Sequence, residues 1–173
     1  MQNEIPVPAT LRGIDESAAY SDQPPLTTRD SKNMRFRSVY FEPGQQNDPL
    51  ATTTDLLAYG NVGLDEDLYG DTMCTTWTTA DSCDIGGVNP ATKIPVNNQK
   101  YATSSVAYAA GNSLTSSTSP SLLLINVPKT TSTSSPETKN TWWGINIPSA
   151  ITLAGNYSGQ NTITAIKSDP TNW

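Results

Sequence analysis

The chain has 173 residues and a mass of 18.5 kDa, the length of one domain, or of a compact domain with a loose extension. Its hydrophobic share is 35%, against roughly 45–50% (Gly included) in an ordinary globular chain, and Thr and Ser fill the difference, which favours thin β layers over a thick helical core. A net charge of −6 and a pI near 4.4 exclude a general nucleic-acid binder, whose phosphate contacts need clustered cations.

Residues 1–34 carry Pro6, Pro8, Pro24 and Pro25 among many polar side chains, with neither helical nor alternating period. They read as an extended or disordered arm, with a β domain over 35–173. Arg29, Lys32, Arg35 and Arg37 form the one local basic cluster; without an aromatic platform or a groove-entering helix it reads as a solvated stretch. Residues 35–42 are the first strand candidate, ended by Pro43-Gly44. A short helical turn is expected over 54–59, stopped by Gly60. The densest acidic cluster follows, Asp65-Glu66-Asp67 with Asp71, and reads as a solvated loop.

From Thr72 the pattern changes, because Met73, Thr75, Trp77 and Thr79 alternate with Thr72, Cys74, Thr76 and Thr78 in a β-favouring stretch. Further strands are expected at 94–101, 104–110, 121–128, 142–148 and 161–167. Period-two burial predicts Leu123, Ile125 and Val127 inward in one of these, and Trp143, Ile145 and Ile147 inward in another. Prolines 90, 95, 120, 128, 136 and 148 fall at or near the strand ends, where a missing N–H costs least. Residues 129–141, low in complexity and without an apolar anchor, are expected as an exposed, mobile connection. About seven strands suffice for two stacked antiparallel sheets.

The chain has no histidine and no Gly-x-Ser-x-Gly elbow, so nucleophilic catalysis lacks its base, and the expectation is that the protein is not an enzyme. Neighbouring carboxylates such as Asp65, Glu66 and Asp67 rarely form the facing pair across a cleft that glycoside hydrolysis requires. Asp65, Asp67 and Asp71 are the candidate calcium ligands, around the turn expected at Gly70, although they lack the alternating spacing of an EF-hand. Cys74 and Cys83 are expected to form a disulfide, favoured over two free buried thiols, and zinc is excluded because neither histidine nor a second Cys pair completes a tetrahedral site. No cofactor is implied. Of the adjacent Trp142 and Trp143, one must face away from whatever the other packs against; Trp143 is expected in the core and Trp142 over a loop or sheet edge, as the candidate for a ligand or partner contact. Trp77 is expected to pack beside the disulfide. The sequon Asn156-Tyr157-Ser158 has meaning only in a eukaryotic secretory host.

From about Ile94 onward the chain resembles the terminal immunoglobulin-like β-sandwich modules of bacterial surface proteins. The residues concerned are Ile94-Pro95-Val96-Asn97-Asn98-Gln99-Lys100-Tyr101, Trp142-Trp143-Gly144-Ile145-Asn146-Ile147-Pro148, and the stretch from Leu153 to Ala165. In that last stretch a Tyr after an Ala-Gly turn precedes the final strand, and the resemblance implies that Tyr157 is buried with its hydroxyl bonded to a nearby carbonyl. Residues 20–35 are similar to the opening arm of some tailed-phage tail proteins, which continue into an Arg-Pro-Gly element where this chain runs Phe36-Arg37-Ser38. That similarity implies an arm docking onto a neighbouring subunit.

The expectation is therefore an all-β, immunoglobulin-like antiparallel β-sandwich with a largely irregular N-terminal arm. It would serve as a non-enzymatic cell-surface or secreted module for adhesion or structural assembly, with a protein or glycan partner or with its own copies, and without nucleic acid. The alternative is a phage virion protein. No transmembrane segment is expected, since the longest purely apolar run is Leu122-Leu123-Leu124-Ile125. The residues from Met1 to Pro6 have neither the basic start nor the apolar stretch of a secretory signal, so an extracellular location requires a leader already removed or delivery within a particle.

Overall fold

The structure, a computed structural model, describes residues 7–9, 31–33, 39–131 and 135–172. In chain order the strands are β1 (Val7–Ala9), β2 (Ser31–Asn33), β3 (Val39–Phe41), β4 (Thr52–Ala58), β5 (Leu64–Gly70) and β6 (Met73–Cys74). They are followed by β7 (Lys93–Ile94), β8 (Gln99–Ala102), β9 (Asn112–Ser113), β10 (Ser121–Val127), β11 (Glu137–Ile145) and β12 (Asn161–Lys167). Helical structure among the described residues amounts to three short 3-10 turns, Val96–Asn98, Tyr108–Ala110 and Pro170–Asn172. Two antiparallel four-stranded sheets carry the body, one ordered β10-β5-β12-β2 and the other β4-β11-β8-β9; β1 with β3 and β6 with β7 form small ribbons. The fold is thus all-β and sandwich-like. No helix among the described residues is long and apolar enough to cross a membrane.

The sheets are held by one shared core. Leu68, Leu123, Ile125, Val127 and Ile163 from the first sheet meet Leu56, Ala58, Tyr101 and Trp143 from the second, with Leu114 filling between them. Trp143 is fully buried, its ring 5.9 Å from that of Tyr101 and its Nε1 donating to Thr54 Oγ1 at 2.9 Å. Farther along, Ile145 and Ile147 join Met73, Ile94, Ile151 and Tyr157 in a second cluster that closes one end. The inward positions expected in 121–128 and 142–148 are therefore buried at all six residues, although β11 ends at Ile145 and Ile147 lies past it. A third, smaller cluster lies on the outer face of the second sheet, where Leu50, Ala102 and Tyr108 pack with half-buried Trp142. Gly144 makes this possible, because a Cβ there would collide with the Leu50 side chain.

Several expected elements differ. The residues expected as a helical turn at 54–59 are instead, up to Ala58, part of β4, which pairs over its whole length with β11; the β-branched run Thr52-Thr53-Thr54 disfavours helix, and Leu56 and Ala58 alternate inward. Residues 137–141, expected as loop, are strand for the same reason seen from the other side: β4 offers a ladder of partners, and pairing overrides polar composition. The run 72–79 shrinks to Met73–Cys74, since the chain bends back toward Cys83 and Ser82 Oγ accepts the amides of Thr78 and Thr79. Residues 94–101 divide at Pro95, which has no N–H for a ladder, into β7, a 3-10 turn and β8. Residues 104–110 form no strand; Val106 O and Ser105 Oγ bond to Leu50 instead, and Tyr108–Ala110 closes a 3-10 turn.

Of the expected arm, the described pieces are β1, paired with β3, and β2, which adds to β12 with Ile163 opposite Lys32. The remainder of residues 1–34, like Arg35 and Arg37, lies outside the described residues.

Candidate functional site at the disulfide-stapled end

The most elaborated surface is the loop between β6 and β7. These two-residue strands pair Met73 with Ile94 and Cys74 with Lys93, so residues 75–92 leave and return at one point. Two devices shape what lies between. Cys74 and Cys83 form a disulfide with Cα atoms 5.7 Å apart, and Cys74 is also bridged to Ser158 by reciprocal backbone hydrogen bonds of 3.1 and 3.0 Å. Beyond Cys83 the chain turns through Gly86 and Gly87, both at positive φ that a side chain would strain. Lys93 Nζ donates to Ile85 O at 3.1 Å and to Gly87 O at 2.7 Å, fixing the turn from below. The tip so held presents apolar side chains to water: Ile85 is 80% exposed, and Val88, across the two glycines, is exposed as well.

The neighbouring loop supports this surface. Thr152 N donates to Ala91 O at 2.9 Å, joining residues 149–160 to the stapled loop, and Leu153 contributes another exposed apolar side chain at this end. Tyr157 anchors that loop: it is fully buried and its hydroxyl donates to Leu153 O at 2.6 Å, the contact that the resemblance implies for this residue. Inside, Gln99 Nε2 donates to Asp71 O and Asn161 Nδ2 to Gln99 Oε1, each at 2.8 Å, a buried polar chain that ties the two sheets together beneath the site.

Charge at this end is acidic. Trp77 Nε1 donates to Asp71 Oδ2 at 3.3 Å, so this indole reaches back to β5's end as well as lying within the cysteine loop. Burial pushes the Asp71 carboxyl above the ordinary aspartate range; hydrogen bonds from Trp77 and from the Asp81 backbone oppose this, while the charges of Asp81 and Asp84 add to it. The candidate calcium ligands are not gathered. Asp65 is buried near the start of β5, where Oδ1 accepts the Asn126 amide at 2.7 Å; Asp67 is two residues on, and Asp71 lies past the strand's far end, roughly 20 Å from Asp65 at strand rise. Among the described residues no group of three or more His, Cys, Asp or Glu is placed to hold a metal ion. The expected acidic loop is in fact the central strand β5, hydrogen-bonded to β10 on one side and β12 on the other.

Two features escaped the sequence reading. Glu66, assigned to a solvated loop, is 1% exposed and faces the opposite sheet; the alternation of Leu64, Glu66 and Leu68 carried that signal. The apolar tip was signalled by Ile85-Gly86-Gly87-Val88, apolar residues flanking a glycine turn. Trp142, expected over a loop or sheet edge, lies on the outer face of the interior strand β11, half-buried against the cluster of Leu50, Ala102 and Tyr108.

Fold and site together define an all-β, sandwich-like domain that carries a disulfide-stapled loop with an apolar tip at one end. Compared with known proteins, the chain matches no family, no curated protein and no solved structure, so its function has to be read from its own residues.

Proposed function

We propose that this chain is a non-enzymatic β-sandwich module, immunoglobulin-like in its finer topology, that works at a cell surface or as a secreted protein and presents its stapled end loop for adhesion or structural assembly. The Cys74–Cys83 bridge carries the reading. Disulfides form and persist in oxidising spaces and are rare in the cytoplasm, and this one shapes a surface loop. The loop is rigidified from several sides, by the disulfide, by Lys93 and by the Thr152 contact; a pre-ordered loop loses less entropy when a partner binds. Its exposed Ile85 suits an apolar depression on a protein or glycan-bearing partner.

The non-enzymatic part rests on the titratable groups. The chain has no histidine, and Glu66, whose carboxyl burial pushes up to about 7, is sealed between the sheets where no substrate reaches it. The buried Tyr157 corner supports the immunoglobulin-like reading.

Fractionation of the native source into envelope, medium and virus particles, with intact mass measured before and after alkylation, tests the proposal. An oxidised protein in the envelope or medium is the expected result. Free thiols at Cys74 and Cys83 in protein recovered from particles would overturn it in favour of a virion subunit assembled in a reducing cytoplasm.

A further inference from the structure

The outer face of the second sheet changes character along β11. Trp143 and Thr141 are buried toward the core, so Trp142, Asn140 and Thr138 point outward in turn. On one side Leu50 and Tyr108 crowd over Gly144 and, with Ala102 directly across on β8, pack against Trp142. β8 ends at Ala102, so beyond Trp142 the sheet narrows to β11 and β4. There Thr53 lies opposite Trp142 and Asp55 opposite Asn140, each pair sharing the outer face. A half-buried indole, covered from one direction, thus adjoins in the other a strip of hydroxyl, carboxylate and amide groups. These groups are available. Thr53, Asp55, Thr138 and Asn140 are exposed, and their side chains take no hydrogen bond among the described residues. The indole N–H groups of Trp77 and Trp143 are bonded to Asp71 and Thr54; that of Trp142 has no partner among the described residues and is not sealed from water.

We propose that this strip binds a neutral glycan, with one pyranose ring laid on the Trp142 indole and the next sugar held by Asp55 and Asn140. A pyranose has an apolar C–H face and a rim of hydroxyls, and the strip offers the complement of both. The electron-rich face of the indole meets C–H hydrogens favourably. The Asp55 carboxylate accepts from two neighbouring hydroxyls in charge-assisted bonds, and the Asn140 amide both donates and accepts, as a hydroxyl requires. The spacing suits adjacent sugar rings: outward residues along one strand stand about 7 Å apart, and directly opposite residues about 5 Å.

Charge selects a neutral ligand. The lysines nearby are turned elsewhere: Lys139 lies opposite inward-facing Leu56, on the other face of the strand, and Lys100 Nζ donates to Gly111 O at 3.0 Å and rests over the Tyr108 ring. An acidic sugar or a phosphate chain would therefore meet Asp55 with no described cation beside it to offset the repulsion. A basic peptide would find one carboxylate among hydroxyls and an amide, which leaves most of the strip unused. β4 is the outer strand of its sheet, so the strip is open at that side and shallow, and the affinity for a short glycan is weak, with a Kd on the order of 1 mM. The site is separate from the stapled loop and does not depend on the role given to that loop.

Nitrogen–proton correlation spectra of the whole chain, titrated to about 10 mM with tetrasaccharides of cellulose, chitin, mannan, amylose and xylan, test it, with tetragalacturonate as the acidic control. The expected result is that at least one neutral probe shifts the Trp142 indole signal and the amides of Thr53, Asp55 and Asn140, while the indole of buried Trp143 stays in place. Trp142→Ala should weaken that binding by more than about tenfold, and Trp142→Phe, which keeps an aromatic face, by less. Asp55→Ala and Asn140→Ala, at exposed positions, should each weaken it several-fold with the melting temperature unchanged, and they decide the matter if Trp142→Ala fails to fold. Silence of these signals with every neutral probe, shifts confined to other surfaces, preference for the acidic control, or binding indifferent to the substitutions overturns the proposal.

Discussion

Glu66 on β5 and Thr141 on β11 meet across the sandwich, the threonine hydroxyl donating to the glutamate carboxyl in a site closed to water. Burial raises the Glu66 pKa from 4.5 to about 7, the Thr141 hydrogen bond opposing the rise and the charge of Asp65 adding to it. Below about 4.5 the carboxyl is protonated in both folded and unfolded chains and carries no penalty. Between about 4.5 and about 7 the unfolded chain has lost a proton that the folded chain keeps, so stability falls as pH rises, and above about 7 the full cost of roughly 3 kcal/mol is in force. Urea unfolding from about pH 5 to about pH 8 should show this decline, and Glu66→Gln should flatten it. Stability that instead rises with pH in wild type and not in the variant would mean that Glu66 is ionised and paired in the folded state.

The Tyr157 corner makes a separable prediction. Tyr157→Phe keeps the buried ring and removes only the hydroxyl that bonds Leu153 O at 2.6 Å, at a cost of about 1 kcal/mol. Tyr157→Ala also empties space lined by Met73, Ile94 and Ile151, at a cost of about 3–5 kcal/mol. Denaturant midpoints measure both, and equal costs would show that the hydroxyl, and not the ring, holds the corner.

The legibility of this fold in its sequence varied with how each strand is buried. β10 is readable because Leu123, Ile125 and Val127 carry a clean period between Pro120 and Pro128, and β12 because Thr162, Ile163, Thr164 and Ile166 make its stretch rich in β-branched residues. β5 was not, because Glu66 occupies a core position and Asp65 and Asp67 lie between inward residues, so charge hid the alternation of Leu64 and Leu68. The first half of β11 was also hidden: Glu137-Thr138-Lys139-Asn140 is exposed and strand only because β4 is there to pair with it, a long-range fact absent from local composition. At the stapled end the Cys74–Cys83 bond was legible from spacing, whereas the Lys93 contacts that shape the tip depend on two backbone carbonyls and leave no trace in side-chain pattern.

Trp142 and Trp143 should separate in a stability measurement. Trp143 is fully buried and bonded to Thr54, so Trp143→Ala should cost about 3–5 kcal/mol. Trp142 packs on Leu50, Ala102 and Tyr108 on the outer face and remains partly open, so its truncation should cost about 1–2 kcal/mol. Thermal unfolding of the two variants tests the order, and a Trp142→Ala variant indistinguishable from wild type would mean that the outer cluster contributes nothing to the folded state.

The disulfide should stabilise the end loop far more than the core. With a sequence separation of 9, loop closure removes about 2–3 kcal/mol of unfolded-state entropy in the chain-entropy account. Replacing both cysteines with alanine should lower stability by that order. β6 should persist, since Met73 stays paired with Ile94 and Cys74's backbone with Ser158. Hydrogen exchange can resolve the two regions: in the double variant, amides over residues 76–92 should lose protection while those of β5, β11 and β12 change only by the global loss. Unchanged protection in the loop would show that Lys93 and Ser82 suffice to hold it, and the apolar tip at Ile85 would then keep its shape in a reducing environment as well.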